Sequence, residues 1–442
     1  MIYLFNRFGT IGRTWIDLAP FCFDEIYALY ESDQVYSIHK EANIHLYEAI
    51  QGQRTLVEKK AWQKKAIQQI LYDDNSQLRE ILSWESIPEM ENRSQIRFLS
   101  VSSKMQRFVE DKMNLLRILT QSGVEEQYFI KTVTSQSDLL DLFCSSKRVM
   151  IQKNGIFTGG NGNICINNDQ DLTQFVESKP REGSWKGCEF IVGNSYNINL
   201  LVVGSETYIE CPSRKVMGIQ ELGIADWKSS GNQWGEIFPF SQEVCKNLIT
   251  NLEKIGRYLS TIGFQGVFGV DLIASPETGT IKINELNSRI QGTTELAALC
   301  QKERGFIPFP VVQCQIFSSF LPDFHAPSTA KQYNQETLDL MVSGYSGPFY
   351  VKLRAPREGY NLLQEGSSFT LEKGKSITIV NPPKMGVFMS SGVEWCTLEG
   401  AGWFPFQKDK SLSKDLSDLV VQLKERGITD ELKDHSNVCR SS

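Results

Sequence analysis

The chain has 442 residues, 41% hydrophobic and 22% charged, with a formal net charge of −6. This is the balance of a globular protein with room for two or three domains; it lacks the basic footprint of a nucleic-acid binder and has no apolar run of membrane-spanning length. The ten cysteines stand singly, without a Cys-x-x-Cys pair and apart from the four histidines, so a reducing cytoplasm is expected rather than a disulfide framework or a zinc site.

Residues 1–105 read as a small α/β domain. Met1 to Phe5 is a short apolar strand running into Asn6-Arg7-Phe8-Gly9-Thr10-Ile11-Gly12, a turn of the kind that can hold a ligand at a strand end. Arg7, Arg13 and Asp17 interrupt the apolar start, which makes it a poor leader peptide. A helix is expected from Leu56 to Leu82, and another from Lys104 to Gly123, where Phe108, Met113, Leu116 and Leu119 fall near helical spacing and Gly123 closes the last turn.

Arg148 to Ile166 reads as strand, glycine-rich loop, strand. Gln152 and Lys153 end the first strand, and Gly159, Gly160 and Gly162 form the tip. Glycine backbone can approach a phosphate closely because no Cβ intervenes. No Gly-Lys-Ser/Thr follows, so this is not a Walker loop. Cys188 to Val192, containing Glu189, Phe190 and Ile191, is an extended apolar run. Asn197 and Asn199 alternate with Tyr196, Ile198 and Leu200, which puts two amides on one face of a strand.

Arg214 and Lys215 are cations suited to a transferring phosphoryl group, where charge develops. Gly223 to Gly235 reads as a long mobile loop, Glu243 to Ile262 as a helix, and Thr293 to Cys300 as another with Thr294 as cap. Beyond residue 326, short β-like runs (Phe349 to Leu353, Ser376 to Val380, Gly386 to Met389) alternate with Pro/Gly turns before a helix at Ser411 to Arg426, a small β-rich domain.

The chemistry concentrates in residues 263–295. Val267 to Ile273, a turn at Ser275 to Gly279 and Thr280 to Leu286 make a β-hairpin. Strand alternation predicts Ile281, Ile283 and Glu285 on one face, with Lys282, Asn284 and Leu286 on the other. A carboxylate close to burial needs a cation or donors to meet it. Asp271 and Glu285 facing each other, with Asn287 two residues on, suit Mg²⁺, which takes a few carboxylates together with phosphates and water. Arg289 adds a fork for a phosphate or carboxylate oxygen.

At Gly266 to Asp271 followed by Glu285-Leu-Asn287-Ser-Arg289 the chain resembles the ATP-grasp superfamily, and the likeness extends weakly over residues 106–320. The resemblance implies an α/β (α+β) fold in three parts: an N-terminal open α/β domain (1–105), a central ATP-grasp domain (106–325) with a glycine-rich lid near 146–190, and a β-rich C-terminal domain (326–442). It implies that Asp271 and Glu285 bind Mg²⁺, that Asn287 completes a second ion's shell, with Mn²⁺ as a substitute, and that Arg289 steadies the reacting phosphoryl. Lys112 would contact nucleotide phosphate. The lid strand position where the superfamily usually carries a lysine is Gln152 here, with Lys153 beside it; both remain open. Glu189, Phe190 and Ile191 would form the adenine hinge.

The implied activity is an ADP-forming, ATP- and Mg²⁺-dependent ligase. It would join a small carboxylate to an amine, an amino acid or peptide, through an acyl phosphate, most like the ligases of natural-product pathways. A homodimer is compatible with this. Two other readings stay open. One is a biotin-carboxylase-like enzyme, whose branch Asn287-Ser-Arg289-Ile-Gln291 also resembles, although Thr293 stands where that branch's catalytic acid would fall and Glu295 comes two residues late. The other is a non-catalytic ATP-binding regulatory or scaffold protein.

Overall fold

The structure, a computed structural model, describes residues 2–6, 25–30, 43–48, 78–83, 88–91, 93–155, 162–224, 228–321, 323–364, 366–383, 385–406 and 411–430. Five short strands open the chain: β1 (Ile2–Asn6), β2 (Glu25–Tyr30), β3 (Asn43–Glu48), β4 (Arg79–Ser83) and β5 (Ile96–Phe98). They pair in parallel in the order β3-β2-β1-β4-β5. The order reverses at β1, so the topological switch point of this sheet lies between β1 and β4. β4 lies where the end of a helix was expected. Ile81 and Leu82 are fully buried there, and a short apolar run buried in a parallel sheet cannot be told from helix by periodicity. Residues 56–77 of that expected helix, and Arg7 and Arg13, lie outside the described residues.

The helix expected from Lys104 to Gly123 is two helices, α1 (Ser103–Glu110) and α2 (Leu115–Gln121). Ser102 caps α1 by accepting the Met105 N–H. The break follows from local side chains that compete with helical bonding: Asp111 accepts the Met113 N–H at 2.8 Å and Asn114 donates to the Phe108 carbonyl at 3.1 Å. Lys112 therefore stands in a turn.

A small antiparallel sheet follows, built from β6 (Thr132–Val133), β7 (Val149–Lys153), β8 (Asn163–Ile166) and β9 (Trp185–Glu189) in the order β6-β9-β7-β8. Helices α3 (Gln136–Ser146) and α4 (Asp169–Glu177) cover one face. Their Leu139, Leu142, Phe143, Leu172 and Phe175 pack on Val149, Ile151 and Trp185 as a separate core. The other face carries Gln152 and Lys186, which are register partners and so share a side of the sheet.

The large sheet starts with β10 (Asn194–Val203), β11 (Glu206–Ile209), β12 (Ser213–Met217) and β13 (Ser229–Gln233), and ends in the hairpin β14 (Gly266–Ser275) and β15 (Thr280–Asn287). Its order is β15-β14-β10-β12-β13, continuing through strands Pro348–Arg354, Glu394–Ala401, Ser376–Val380 and Ser368–Thr370, with β11 beside β10. The twenty-residue helix α5 (Gln242–Thr261) lays Cys245, Leu248, Leu252, Ile255 and Leu259 on Leu200, Phe268 and Val270 of one sheet face, the spacing of an amphipathic helix. The C-terminal strands thus extend the central sheet. Helix Ala330–Ser343 contributes Leu338 and Met341 to the central core, and a second core mixes Val216 and Leu222 with Phe349, Val351, Leu398 and Leu419.

The stretch expected to be a mobile loop, 223–235, instead contains β13, whose Ser230, Asn232 and Gln233 are buried, as is Trp234 just past it. Ser, Gly and Asn are poor strand formers, and here polar pairing holds them. Asn232 donates to Ser213 Oγ at 2.9 Å and accepts from Tyr350 at 3.0 Å, while a Cβ at Gly231 would lie 2.0 Å from the Tyr350 carbonyl oxygen. Residues 225–227 lie outside the described residues. Among the described residues no helix is long and apolar enough to cross a membrane.

Candidate functional site

The face of the large sheet turned away from α5 is polar where the other is apolar. Glu285, Asp271, Asn197 and Ser213 are successive register partners across β15, β14, β10 and β12, so their side chains form one row. Asn287, Gly269 and Asn199 make the next row.

Glu285 reaches this face because of a β-bulge. Asp271 pairs with Glu285 but Leu272 pairs with Ile283, which leaves Asn284 as an extra residue. A bulge of this kind re-aims the side chains beyond it. Ile281, Ile283 and Leu286 all enter the core, and Glu285 turns out. The expected grouping of Glu285 with Ile281 and Ile283, opposite Leu286, is thereby corrected: simple alternation holds only up to the bulge.

Each acid meets a cation. Asp271 accepts Lys215 Nζ at 2.7 Å and Asn197 Nδ2 at 2.7 Å. Burial alone would lower the Lys215 pKa, and the adjoining Asp271 carboxylate outweighs it, so the ammonium is held charged above its ordinary range. Lys112 Nζ lies 3.3 Å from Glu285 Oε1 and 3.3 Å from the Gly155 carbonyl of the small sheet. Arg289 Nε lies 3.3 Å from Glu110 Oε1 at the end of α1; burial pushes the Glu110 carboxyl up, against the pull of Arg289. Glu110 also accepts the Ser288 N–H at 3.1 Å, which fixes the chain just past β15.

Behind the acids lies a network of amides and hydroxyls. Asn197 donates to Gln291 Oε1 at 3.0 Å, Thr293 donates to Asn197 Oδ1 at 2.8 Å, and Thr294 donates to Asn199 Oδ1 at 2.9 Å. Gln291 lies over Gly269, where any Cβ would fall 1.5 Å from its Nε2. Thr294 is the first residue of helix Thr294–Glu303, not its cap, and its hydroxyl serves this network.

Two carboxylates and a neighbouring amide suit a hard cation that keeps its remaining positions for phosphate and water. Among the described residues no trio of His, Cys, Asp or Glu gathers to make a complete protein cage, and the oxygen set at Asp271, Glu285 and Asn287 fits magnesium carried by a nucleotide.

Residues 109–293 match the ATP-grasp domain family. The chain carries an ATP-grasp domain over these residues. No curated protein sequence matches it. Among solved structures it is similar to the biotin carboxylase domain dimer of Hydrogenobacter thermophilus 2-oxoglutarate carboxylase, determined with MgADP, ADP and bicarbonate (12% identity, 91% of this chain and 86% of that one, TM-score 0.64). It is also similar to the Campylobacter jejuni biotin carboxylase–β-γ-ATP complex (12%, 97% and 92%, TM-score 0.61) and to phosphoribosylamine–glycine ligase from Thermotoga maritima (14%, 95% and 96%, TM-score 0.55). Likeness at this identity establishes the fold, a mixed α/β ATP-grasp architecture.

Within that ATP-grasp fold the structure brings together Asp271, Glu285, Asn287, Lys112 and Lys215. Arg289 lies beside them, anchored to Glu110. Arg214 does not join them. It pairs with Tyr196 in register, on the α5 side of the sheet, and its Nε lies 2.7 Å from Glu236. Consecutive strand residues face opposite ways, so Arg214 and Lys215 cannot both face the row. Asn199 is buried with its amide committed to Asn197, Thr293 and Thr294, where it supports the row from behind.

Gln152 is 1% exposed with Oε1 lacking a partner, while Lys153 is exposed. Glu189 is exposed at the end of β9, and Phe190 and Ile191 are half-buried in the link to β10. The Arg148 guanidinium lies 3.9 Å from the Phe190 ring centroid. Gly162 follows the tip, its carbonyl accepting the Lys153 N–H at 3.0 Å; Gly159 and Gly160 lie outside the described residues. Sequence reading missed Glu110 and Lys186. The trace of Lys186 is one cation inside the run Trp185-Lys-Gly-Cys188, and that of Glu110 is an acid closing the apolar pair Phe108-Val109.

Proposed function

We propose that the chain is an ATP- and Mg²⁺-dependent ligase that joins a carboxylate to an amine, forming ADP. The observation that carries this reading is the register pairing of Asp271 with Glu285 across a bulged hairpin, each acid already matched to a lysine. Magnesium bound at Asp271 and Glu285, with Asn287 beside them, would neutralise phosphate charge as the γ-phosphoryl leaves.

The chain's own residues do the rest. Lys112, placed between Glu285 and the Gly155 carbonyl, is positioned to turn onto phosphate oxygens, as is Lys215 from Asp271. Gln152 offers an amide from the lid side. The segment Glu189–Ile191 offers backbone to the base. Arg289, fixed by Glu110, faces the transferring group. A substrate carboxylate oxygen attacks the γ-phosphorus and ADP leaves; the amine then attacks the acyl carbon and phosphate leaves. Positioning and charge neutralisation account for the rate, and no protein nucleophile is required. The amine and acid are small molecules, amino acids or peptides on this reading, and a dimer is compatible with it.

The test is incubation with ATP, Mg²⁺ and pooled amino acids or short peptides, following ADP release and new amide masses. ADP release that needs both an added carboxylate and an added amine supports the proposal. ADP release unaffected by either overturns it.

A further inference from the structure

Among the described residues Lys186 forms no ion pair, and the nearby Glu285 is already paired with Lys112. Glu110, Asp271 and Glu285 are matched by Arg289, Lys215 and Lys112; Lys186 is a fourth cation with no acid left for it. Its side chain is among the largest fully buried in the described residues, at 1% exposure. An ammonium carries three donors, and the one bond it makes there is to the Asn284 carbonyl at 3.2 Å. Asn284 is the extra residue of the bulge, so Lys186 crosses from the small sheet to the backbone beside Glu285. Its register partner Gln152 holds a buried Oε1 with no partner. Burial pulls the Lys186 pKa down, and the nearby Lys112 adds to this.

Buried cations are kept where something anionic meets them. From this geometry we infer that Lys186 is a polyphosphate-binding residue of the cleft between the two sheets, supplying from β9 the lid charge that Gln152 on β7 lacks. The anion class is the di- or triphosphate of a nucleotide, and the inference rests on the ATP-dependent reading of the same site. Gln152 would contribute its amide N–H beside it, and Lys153, exposed at the end of β7, takes no part.

The experiment is titration calorimetry of the full chain with MgATP, MgADP, tripolyphosphate and adenosine, on the wild type, Lys186→Met, Lys186→Gln and the exposed control Lys131→Met, with melting temperatures alongside. Removing a charge-assisted hydrogen bond from a buried site weakens binding by about 10- to 100-fold. MgATP, MgADP and tripolyphosphate should bind that much more weakly to both Lys186 variants, adenosine should keep its wild-type affinity, and the control should be unchanged. The variants should melt no lower than wild type, because a buried unpaired charge is gone. Lys186 variants that bind MgATP like wild type overturn the assignment while leaving the ATP reading standing. Equal losses for adenosine and MgATP with a lowered melting temperature overturn it in favour of a structural lysine. A wild type that binds no nucleotide overturns the ATP reading and this inference together.

Discussion

Replacing Asp271 by Asn tests the acid pair directly. Asp271 uses one oxygen for Asn197 and the other for Lys215, both at 2.7 Å. An amide cannot serve both partners: one orientation turns its NH₂ toward the Lys215 ammonium and the other toward the Asn197 NH₂. Between unit charges 2.7 Å apart, an effective dielectric of about 20 gives a gross attraction of ~6 kcal/mol. Most of that is offset by desolvation, and the Lys215 side chain is 25% exposed, enough to swing into water. The net loss of stability is about 2 kcal/mol, so the fold survives with a melting temperature lowered by a few degrees. On the proposed reading the loss of function should be larger, because one of two anionic magnesium ligands is removed where phosphoryl charge is neutralised. A fall in kcat/KM of about 10³ corresponds to ~4 kcal/mol of lost transition-state stabilisation. Coupled-assay ADP release at saturating Mg²⁺, with melting curves on the same preparation, separates the two effects. Wild-type turnover in a folded Asp271→Asn protein would refute the metal assignment.

Glu110→Gln leaves Arg289 buried without a charge partner and should cost about 3–5 kcal/mol, read as a drop in denaturation midpoint; a change under about 1 kcal/mol would show that Arg289 finds another partner. Gly269→Ala drives a methyl into Gln291 Nε2, the movable end of a side chain. Turnover should therefore fall at least tenfold while the melting temperature shifts little, and equal activity would show that Gln291 is not needed behind Asp271. The Lys186 pKa is lowered in the fold by burial and Lys112, with Glu285 and Cys188 pulling the other way. The neutral form is thus favoured by folding, and the stability it gives is present above the unfolded value of about 10.4 and lost as pH falls through the folded value. Lys186→Met should be more stable than wild type near pH 7, and the gap should close as pH rises toward 10; a gap constant between pH 7 and 10 contradicts the shift.

The hairpin was readable because acids and amides on a β-rich run break the rule for a core strand. The bulge was not. In Ile281-Lys-Ile-Asn-Glu-Leu-Asn287 plain alternation groups Glu285 with Ile281 and Ile283, and only the cross-strand pairing of Asp271 with Glu285 and Leu272 with Ile283 reveals the extra residue that turns it to the other face. Arg214 was misjoined to Lys215 because the pair looks like one cluster in sequence, whereas strand geometry sends the two side chains apart. β13 was hidden because Ser229-Ser-Gly-Asn-Gln233 has turn composition, and its strand form depends on Ser213 and Tyr350, both remote in sequence. Lys112, singled out through the resemblance, was expected on a helix, since the Asp111 and Asn114 bonds that end α1 do not show in hydrophobic spacing.

The likeness to carboxylase domains and to a ligase is a likeness of fold, so the choice between those chemistries rests on the residues behind Asp271. Thr293 is the position that bears on it. The Thr293 hydroxyl donates to Asn197 Oδ1 and accepts from Asn199 Nδ2 at 3.1 Å. A carboxylate at that position would face the Asn197 oxygen, an acceptor against an acceptor, and in doing so disturb the amide that holds Asp271. The hydrogen-bond polarity of the network is therefore set for a hydroxyl at Thr293, which supports the proposed ligase reading over a carboxylase with its base at that position. Bicarbonate with free biotin should leave ADP release at its background rate, whereas an accepted pair of carboxylate and amine should raise it. Bicarbonate-dependent turnover of the wild type would show that another group supplies the base and would shift the reading to a carboxylase.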